Sequence, residues 1–277
     1  MKRILSAIAA AAIVFACAPK QGPVTDVQTL TSPDGNMEMT FQLTSEGTPQ
    51  YTLNYGDQKV ILPSDLGFEF RGVLKAQKLI YNADGTISKE DREPCNSFYD
   101  GFEVESVETS TFDETWEPVW GEESHIRNHY NELAVTLEKD GIEMILRFRL
   151  FDDGLGFRYE FPQQKGLRYF TVLDELTEFS MTGDHMAWWL AGDYDTQEYN
   201  YGESRLSQVR ELMPGTLVGG ASQHVVAPTA VQTSLQMKTD DGLYVNIHEA
   251  ALVDYPAMTL ILDDKDFSFK ADLTPDA

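Results

Sequence analysis

The sequence predicts an all-β fold, an antiparallel sandwich of two sheets. Apolar–polar alternation with period two recurs along the chain with turn residues between the segments, and helix signals are sparse. The alternation starts at residues 37–43 (MEMTFQL) and returns at 51–55 after a turn around Gly47 and Pro49. Gly56 and Asp57 then turn the chain into residues 60–62. Residues 133–137 and 144–150 flank Lys139-Asp140-Gly141, a hairpin signal. Asp152-Asp153-Gly154 turns into 156–161. Further strands are predicted at 169–173, 177–181, 186–190, 231–238, 243–248, 258–262 and 267–273. Residues 203–213 give one helical turn ending before Pro214-Gly215, and 217–229 read as a loop. Roughly a dozen strands with no linker between them point to one extended sandwich rather than two domains.

With 277 residues, 42% of them hydrophobic and 11% aromatic, the chain can bury a sizeable core. The formal net charge of −24 repels nucleic acid and anionic lipid headgroups, and suits a neutral ligand or a bound cation. Lys2 and Arg3 precede an apolar run over 4–15 that is too short to span a bilayer and reads as the core of a signal peptide. Ala16-Cys17 resembles a bacterial lipobox, which predicts a lipoprotein-type signal over 1–16, lipidation of Cys17 and a tether over 17–29. Phe15 is unusual there, so ordinary signal cleavage stays open. The expected location is the cell envelope, as a periplasmic or outer-membrane lipoprotein. Cys17 and Cys95 are the only cysteines, and no CxxC spacing exists for a thiolate zinc site.

Residues 112–132 (FDETWEPVWGEESHIRNHYNE) concentrate chemistry that a core strand does not need. Aromatic faces stack on sugar rings, and carboxylate, amide and imidazole edges bond sugar hydroxyls, so the run suggests a carbohydrate site. Trp116, Trp120, Arg127, Asn128, His129 and Asn131 are its candidate contacts, either on a pocket wall or at a domain interface. If the segment is a strand, Arg127 and His129 face one way and Asn128 and Tyr130 the other. Residues 192–199 (GDYDTQEY) have a similar character. His248 and Glu249 are also candidates, in a supporting role, because neighbours on a strand cannot easily act on one atom. Trp188-Trp189 places one ring on each face of its strand.

Long strings resemble glycoside hydrolase family 97. They include Tyr99-Asp100-Gly101-Phe102-Glu103, residues 111–122, 126–136, 147–164 and 192–199, Val231-Gln232-Thr233, and 237–255. The resemblance runs from about Leu30 to Ala277 and is strongest to the starch-utilisation α-glucosidases of that family. It implies an N-terminal β-supersandwich of the galactose mutarotase-like kind at 30–277, followed in the family by a catalytic (β/α)8 barrel. The general acid and the base or nucleophile sit on that barrel, so the expectation is a chain cut short of it and catalytically inactive alone. The resemblance also implies that a sandwich glutamate, Glu198 by string match, is one ligand of a Ca2+ completed by the barrel, where the substrate is an α-linked oligosaccharide. Ca2+ takes six to eight oxygens, so one carboxylate does not hold it. A non-catalytic glycan-binding lipoprotein is the alternative, and a sandwich epimerase using His and a carboxylate is the third reading.

Overall fold

The computed structural model describes residues 26–75, 79–82, 86–89, 93–219 and 224–274. The expected signal peptide and Cys17 lie outside the described residues, as does most of the expected tether. The first strand, Gln28–Thr31, starts two residues ahead of the boundary expected at Leu30. Among the described residues, no helix is long and apolar enough to cross a membrane.

Among the described residues the sheets are antiparallel, with a 3-10 turn at Leu206–Gln208 leading into one short α-helix, Val209–Thr216. The largest sheet has eight strands. From edge to edge they are Gln28–Thr31, Met37–Leu43, Pro49–Tyr55, Gln58–Asp65, Glu178–Met181, Ser268–Leu273, Met258–Asp263 and Ala230–Gln232. A four-stranded sheet packs over its first half, ordered Leu155–Glu160, Ile142–Leu150, Ile126–Lys139, Glu103–Trp116. A second four-stranded sheet belongs to the other half, ordered Gly202–Arg205, Met186–Trp189, Leu235–Lys238, Tyr244–Ile247. A smaller sheet joins Thr171–Glu175, Phe68–Arg71 and Ser97–Phe98, and a hairpin pairs Leu79–Tyr81 with Ile87–Lys89.

Sequence alternation explains the core. Met37, Met39 and Phe41 are buried while Glu38 is exposed, and on the facing sheet Met144, Leu146 and Phe148 are buried while Glu143 is exposed. The rings interlock between the sheets: Phe41 and Phe148 lie 5.9 Å apart, Tyr51 and Phe157 5.5 Å. Such tilted pairs suit the ring quadrupole. The Tyr51 hydroxyl donates to the Glu178 carbonyl at 3.0 Å, so the core polar group is satisfied. The hairpin expected at residues 139–141 is present: Lys139 pairs with Ile142, and Asp140 and Gly141 both adopt positive φ, the backbone of a type I′ turn.

Several expectations are corrected. The single strand expected over 231–238 is two strands in different sheets, because the chain turns at Thr233-Ser234. The strand expected at 169–173 lies at Thr171–Glu175, with Tyr169 exposed. The helical segment expected over 203–213 begins only at Leu206, because Gly202–Arg205 pairs with Met186–Trp189 as a strand. It continues past Pro214-Gly215 to Thr216, where Thr216 Oγ1 bonds the Met213 carbonyl. Buried Val209 and Met213, four residues apart, hold its inner face on the core.

Candidate functional site

The candidate residues fall into two groups. The first occupies a ribbon made by Glu103–Trp116 and Ile126–Lys139, paired from Glu103↔Glu138 to Trp116↔Ile126. Only the inner half of Ile126–Lys139 also pairs with Ile142–Leu150, starting at Asn131↔Leu150. The outer half is therefore a two-stranded arm, and the chain crosses its end at 117–125. There Val119 is 99% and Trp120 89% exposed, with Trp116, Ile126 and Phe112 partly bare.

The arm is stiffened along both faces. Arg127 forks onto Asp113, Nε to Oδ1 and Nη2 to Oδ2, each at 2.8 Å. That hydrogen bond holds the exposed Asp113 carboxyl below its usual pKa. Asn131 Nδ2 donates to the Thr31 carbonyl at 2.8 Å, while its Oδ1 accepts from Thr111 Oγ1 at 2.9 Å. It thus ties the arm to the edge strand of the large sheet and lines a shallow cavity of about 290 Å3 there. His129 shares the face of Arg127 and Asn131, and its Nδ1 is buried without a hydrogen-bond partner. Asn128 lies on the opposite face with Tyr130, whose ring stacks on Phe112 at 5.3 Å and carries the Arg149 guanidinium at 4.5 Å. The alternation is as the sequence suggests, and it keeps Asn128 from converging with Arg127 and His129. Further along the outer face, Glu132 accepts from Arg147 and Arg149, and Arg147 with Arg158 holds the Glu160 carboxyl down to a pKa of about 2.

The second group is the loop after Met186–Trp189 together with the end of Tyr244–Ile247. Its anchor, Asp193, is 8% exposed. Burial raises its pKa, but hydrogen bonds from the Asp195 amide (2.8 Å), the Tyr199 hydroxyl (2.7 Å) and the His224 amide (2.7 Å) outweigh that and hold it below the usual range. Burial and the Asp193 charge push the Tyr199 phenol up to about 12. Gln232 Nε2 donates to the carbonyls of Ala191 (2.8 Å) and Thr196 (2.9 Å), clamping the loop to the last strand of the large sheet. Gly192 permits that approach: a Cβ there would lie 2.5 Å from Thr259 Cγ2 and 2.8 Å from Ala230 Cβ.

Glu198 rides on this pinned loop. Its amide donates to Thr196 Oγ1 at 3.1 Å, and its side chain is exposed with no partner among the described residues. Just beyond the neighbouring strand, His248 Nδ1 pairs with Ser234 Oγ at 2.8 Å. Glu249 accepts from Thr233 Oγ1 and from the Met258 amide, both at 3.0 Å. These two side chains therefore brace the corner at Thr233-Ser234. Nearby, buried Glu175 accepts from Thr177 and Tyr255, each at 2.6 Å. Burial, with the Glu249 and Asp174 charges, nevertheless raises its pKa.

The two groups do not meet at one point. Asn131 attaches the arm to the first strand of the large sheet and Gln232 attaches the loop to the last. Seven strand spacings separate them, on the order of 30 Å along the sheet. A polar cavity of about 480 Å3, lined among others by Lys59, Asp184, His185 and Asp241, contains none of the residues selected from sequence. Among the described residues no three His, Cys, Asp or Glu side chains cluster as a metal site. The same loop carries two exposed carboxylates: Asp195, paired with His224 Nδ1 at 2.7 Å, and Glu198. Sequence reasoning missed Asp193, Tyr199 and Gln232 as loop anchors, although Asp193 and Tyr199 lay within a string it singled out.

Comparison with known proteins adds the family. Residues 30–274 match the family described as glycosyl-hydrolase 97 N-terminal. The chain belongs to that family. It is 25% identical over 243 residues to a retaining alpha-galactosidase of Bacteroides thetaiotaomicron, covering 84% of this chain and 30% of that protein. A glycoside hydrolase family 97 enzyme from Pseudoalteromonas sp. strain K8, solved with acarbose, superposes with a TM-score of 0.68 at 30% identity. That match covers 90% of this chain and 32% of the enzyme. A variant of the same enzyme with panose gives 0.66 at 31% identity and the same coverage. The chain thus spans about a third of the length of these relatives. The β-sandwich assigned from sequence is the N-terminal domain of a glycoside hydrolase.

Proposed function

We propose that this domain borders the active site of a calcium-dependent, exo-acting α-glycosidase and contributes Glu198 to its Ca2+. The observation that carries the reading is the contrast between a loop held at Asp193, Gln232 and Gly192 and the uncommitted carboxylate it presents. A ligand on a pre-set backbone loses little entropy on binding. When bound, Ca2+ offers Lewis acidity and a fixed point for sugar oxygens. The chain supplies one carboxylate, held at the right place by its loop, while the remaining ligands and the catalytic acids belong to a barrel that follows in the family. The substrate is an α-linked glucoside or galactoside. The relatives that bind acarbose and panose, and the one named an alpha-galactosidase, support that class. Trp120, Arg127, Asn128, His129 and Asn131 serve as an arm against the barrel or pocket rim, with His248 and Glu249 behind the loop. A lipid on Cys17 anchors the protein at the cell envelope.

The test is Glu198→Gln in the natural gene product. Ca2+ affinity and hydrolysis of an α-glucoside should fall together. Unchanged calcium dependence would remove Glu198 from the metal.

A further inference from the structure

The second four-stranded sheet has two unlike faces. Ala187, Trp189, Leu235, Met237 and Ile247 point into the core. The alternate residues point outward, and they include Trp188, Glu203, Gln236, Lys238, Tyr244 and Asn246. Cross-strand pairing places them side by side: Glu203 opposite Trp188, Trp188 opposite Gln236, Gln236 opposite Asn246 and Lys238 opposite Tyr244. The Trp188 and Tyr244 rings are 6.5 Å apart and 21° from parallel, a stacked pair on the outer face. Tyr244 is 59% exposed and carries the Lys238 ammonium 5.0 Å from its ring centre. Asn246 Nδ2 donates to Gln236 Oε1 at 3.2 Å, leaving further amide capacity at the platform's side. Glu203 has no hydrogen-bond or ion-pair partner among the described residues.

Packing does not account for this pair, because the core lies on the other side of the sheet. The local charge narrows the ligand. Glu203, Arg205 and Lys238 are the charged side chains on this face, and Arg205 is ion-paired to Asp240 at 2.7 Å, with Asp241 beside it in the turn. A patch of mixed sign on a chain of net charge −24 disfavours a polyanion and suits a neutral ligand. Flat aromatic rings also accept nucleic-acid bases, but the overall charge repels the phosphates that come with them. We propose that this face is a second carbohydrate site, separate from Glu198, on which a neutral glycan lays pyranose rings over Trp188 and Tyr244. The amides of Gln236 and Asn246 and the Glu203 carboxylate would bond its hydroxyls. The inference rests on the glycan reading above and extends it to a second surface of the sandwich.

The test uses the chain itself with maltoheptaose in titration calorimetry and with insoluble starch in a pull-down. Trp188→Ala and Tyr244→Ala should each weaken binding by about tenfold, while Leu212→Ala, exposed on the helix and given no role in either site, leaves it unchanged. Trp120→Ala and Glu198→Gln report on the site proposed above. Tyr244 is exposed and Trp188 half-buried on the outer face, away from the core, so an unchanged circular dichroism spectrum should accompany the loss. Asn246→Ala gives a milder second probe that removes only an amide. Binding that persists in both aromatic variants overturns the proposal, as does wild-type chain that binds neither probe. Binding lost only in Trp120→Ala or Glu198→Gln overturns the platform and leaves the active-site reading standing.

Discussion

The ribbon arm and the Glu198 loop are built from similar residue types, yet the fold treats them differently. Both carry acids, aromatics and amides in short strings. The arm spends its polar groups on itself and on one sheet edge, as in the Arg127–Asp113 fork and the Asn131–Thr31 tie, and leaves its aromatics bare at the end. The loop buries Asp193, Tyr199 and the clamping Gln232 as anchors and leaves the Glu198 carboxylate exposed. Exposed aromatic clusters mark surfaces that meet other surfaces, whereas an exposed side chain on a pinned backbone is positioned for a defined contact.

The largest way to break this contrast is at the loop anchor. Asp193→Ala strands the Asp195 and His224 amides and the Tyr199 hydroxyl, and should destabilise the fold by on the order of 3 kcal/mol in urea unfolding. The Asp193 carboxylate, depressed in the folded state, stabilises at neutral pH, and that contribution disappears as pH falls through its folded pKa. Gly192→Ala should cost about 1–3 kcal/mol, since the added methyl meets Thr259 and Ala230. The buried acid behind the loop has the opposite sign. Glu175 has a raised pKa, so its ionisation works against folding at neutral pH, and its favourable term is restored as pH falls through the raised value. Glu175→Gln should therefore compare better with wild type at pH 7 than at pH 5 in thermal melts. The smallest effect is expected on the arm: Trp120→Ala should change stability by no more than ~0.5 kcal/mol.

The sequence made the core strands legible and hid the arm for a physical reason. Met37–Leu43 and Ile142–Leu150 have one buried face, so their apolar residues alternate. Glu103–Trp116 is exposed on both faces for most of its length, so no alternation exists to read. Its two early apolar residues are also out of phase. Val104 pairs with Leu137 and Ser106 with Thr136, which leaves Glu105 as the extra residue of a bulge before Val107. At the corner 233–234 the error ran the other way: alternation continues from Val231 through Leu235 and Met237 while the chain changes sheets. Of the candidate site, the string around Glu198 was visible, but the Gln232 clamp and the distance between loop and arm depend on strand order, which local pattern does not encode.

Hydrogen exchange read by mass spectrometry tests the contrast most directly. The amides of Gly192, Asp195, Glu198 and Asn200 all have acceptors, at Ala230, Asp193, Thr196 and Thr216. Outside the strands, no backbone hydrogen bond among the described residues holds 117–125. Slow exchange across 192–200 beside fast exchange across 117–125 is the predicted result. Equal rates, or protection of the arm tip over the loop, would contradict a pre-set Glu198.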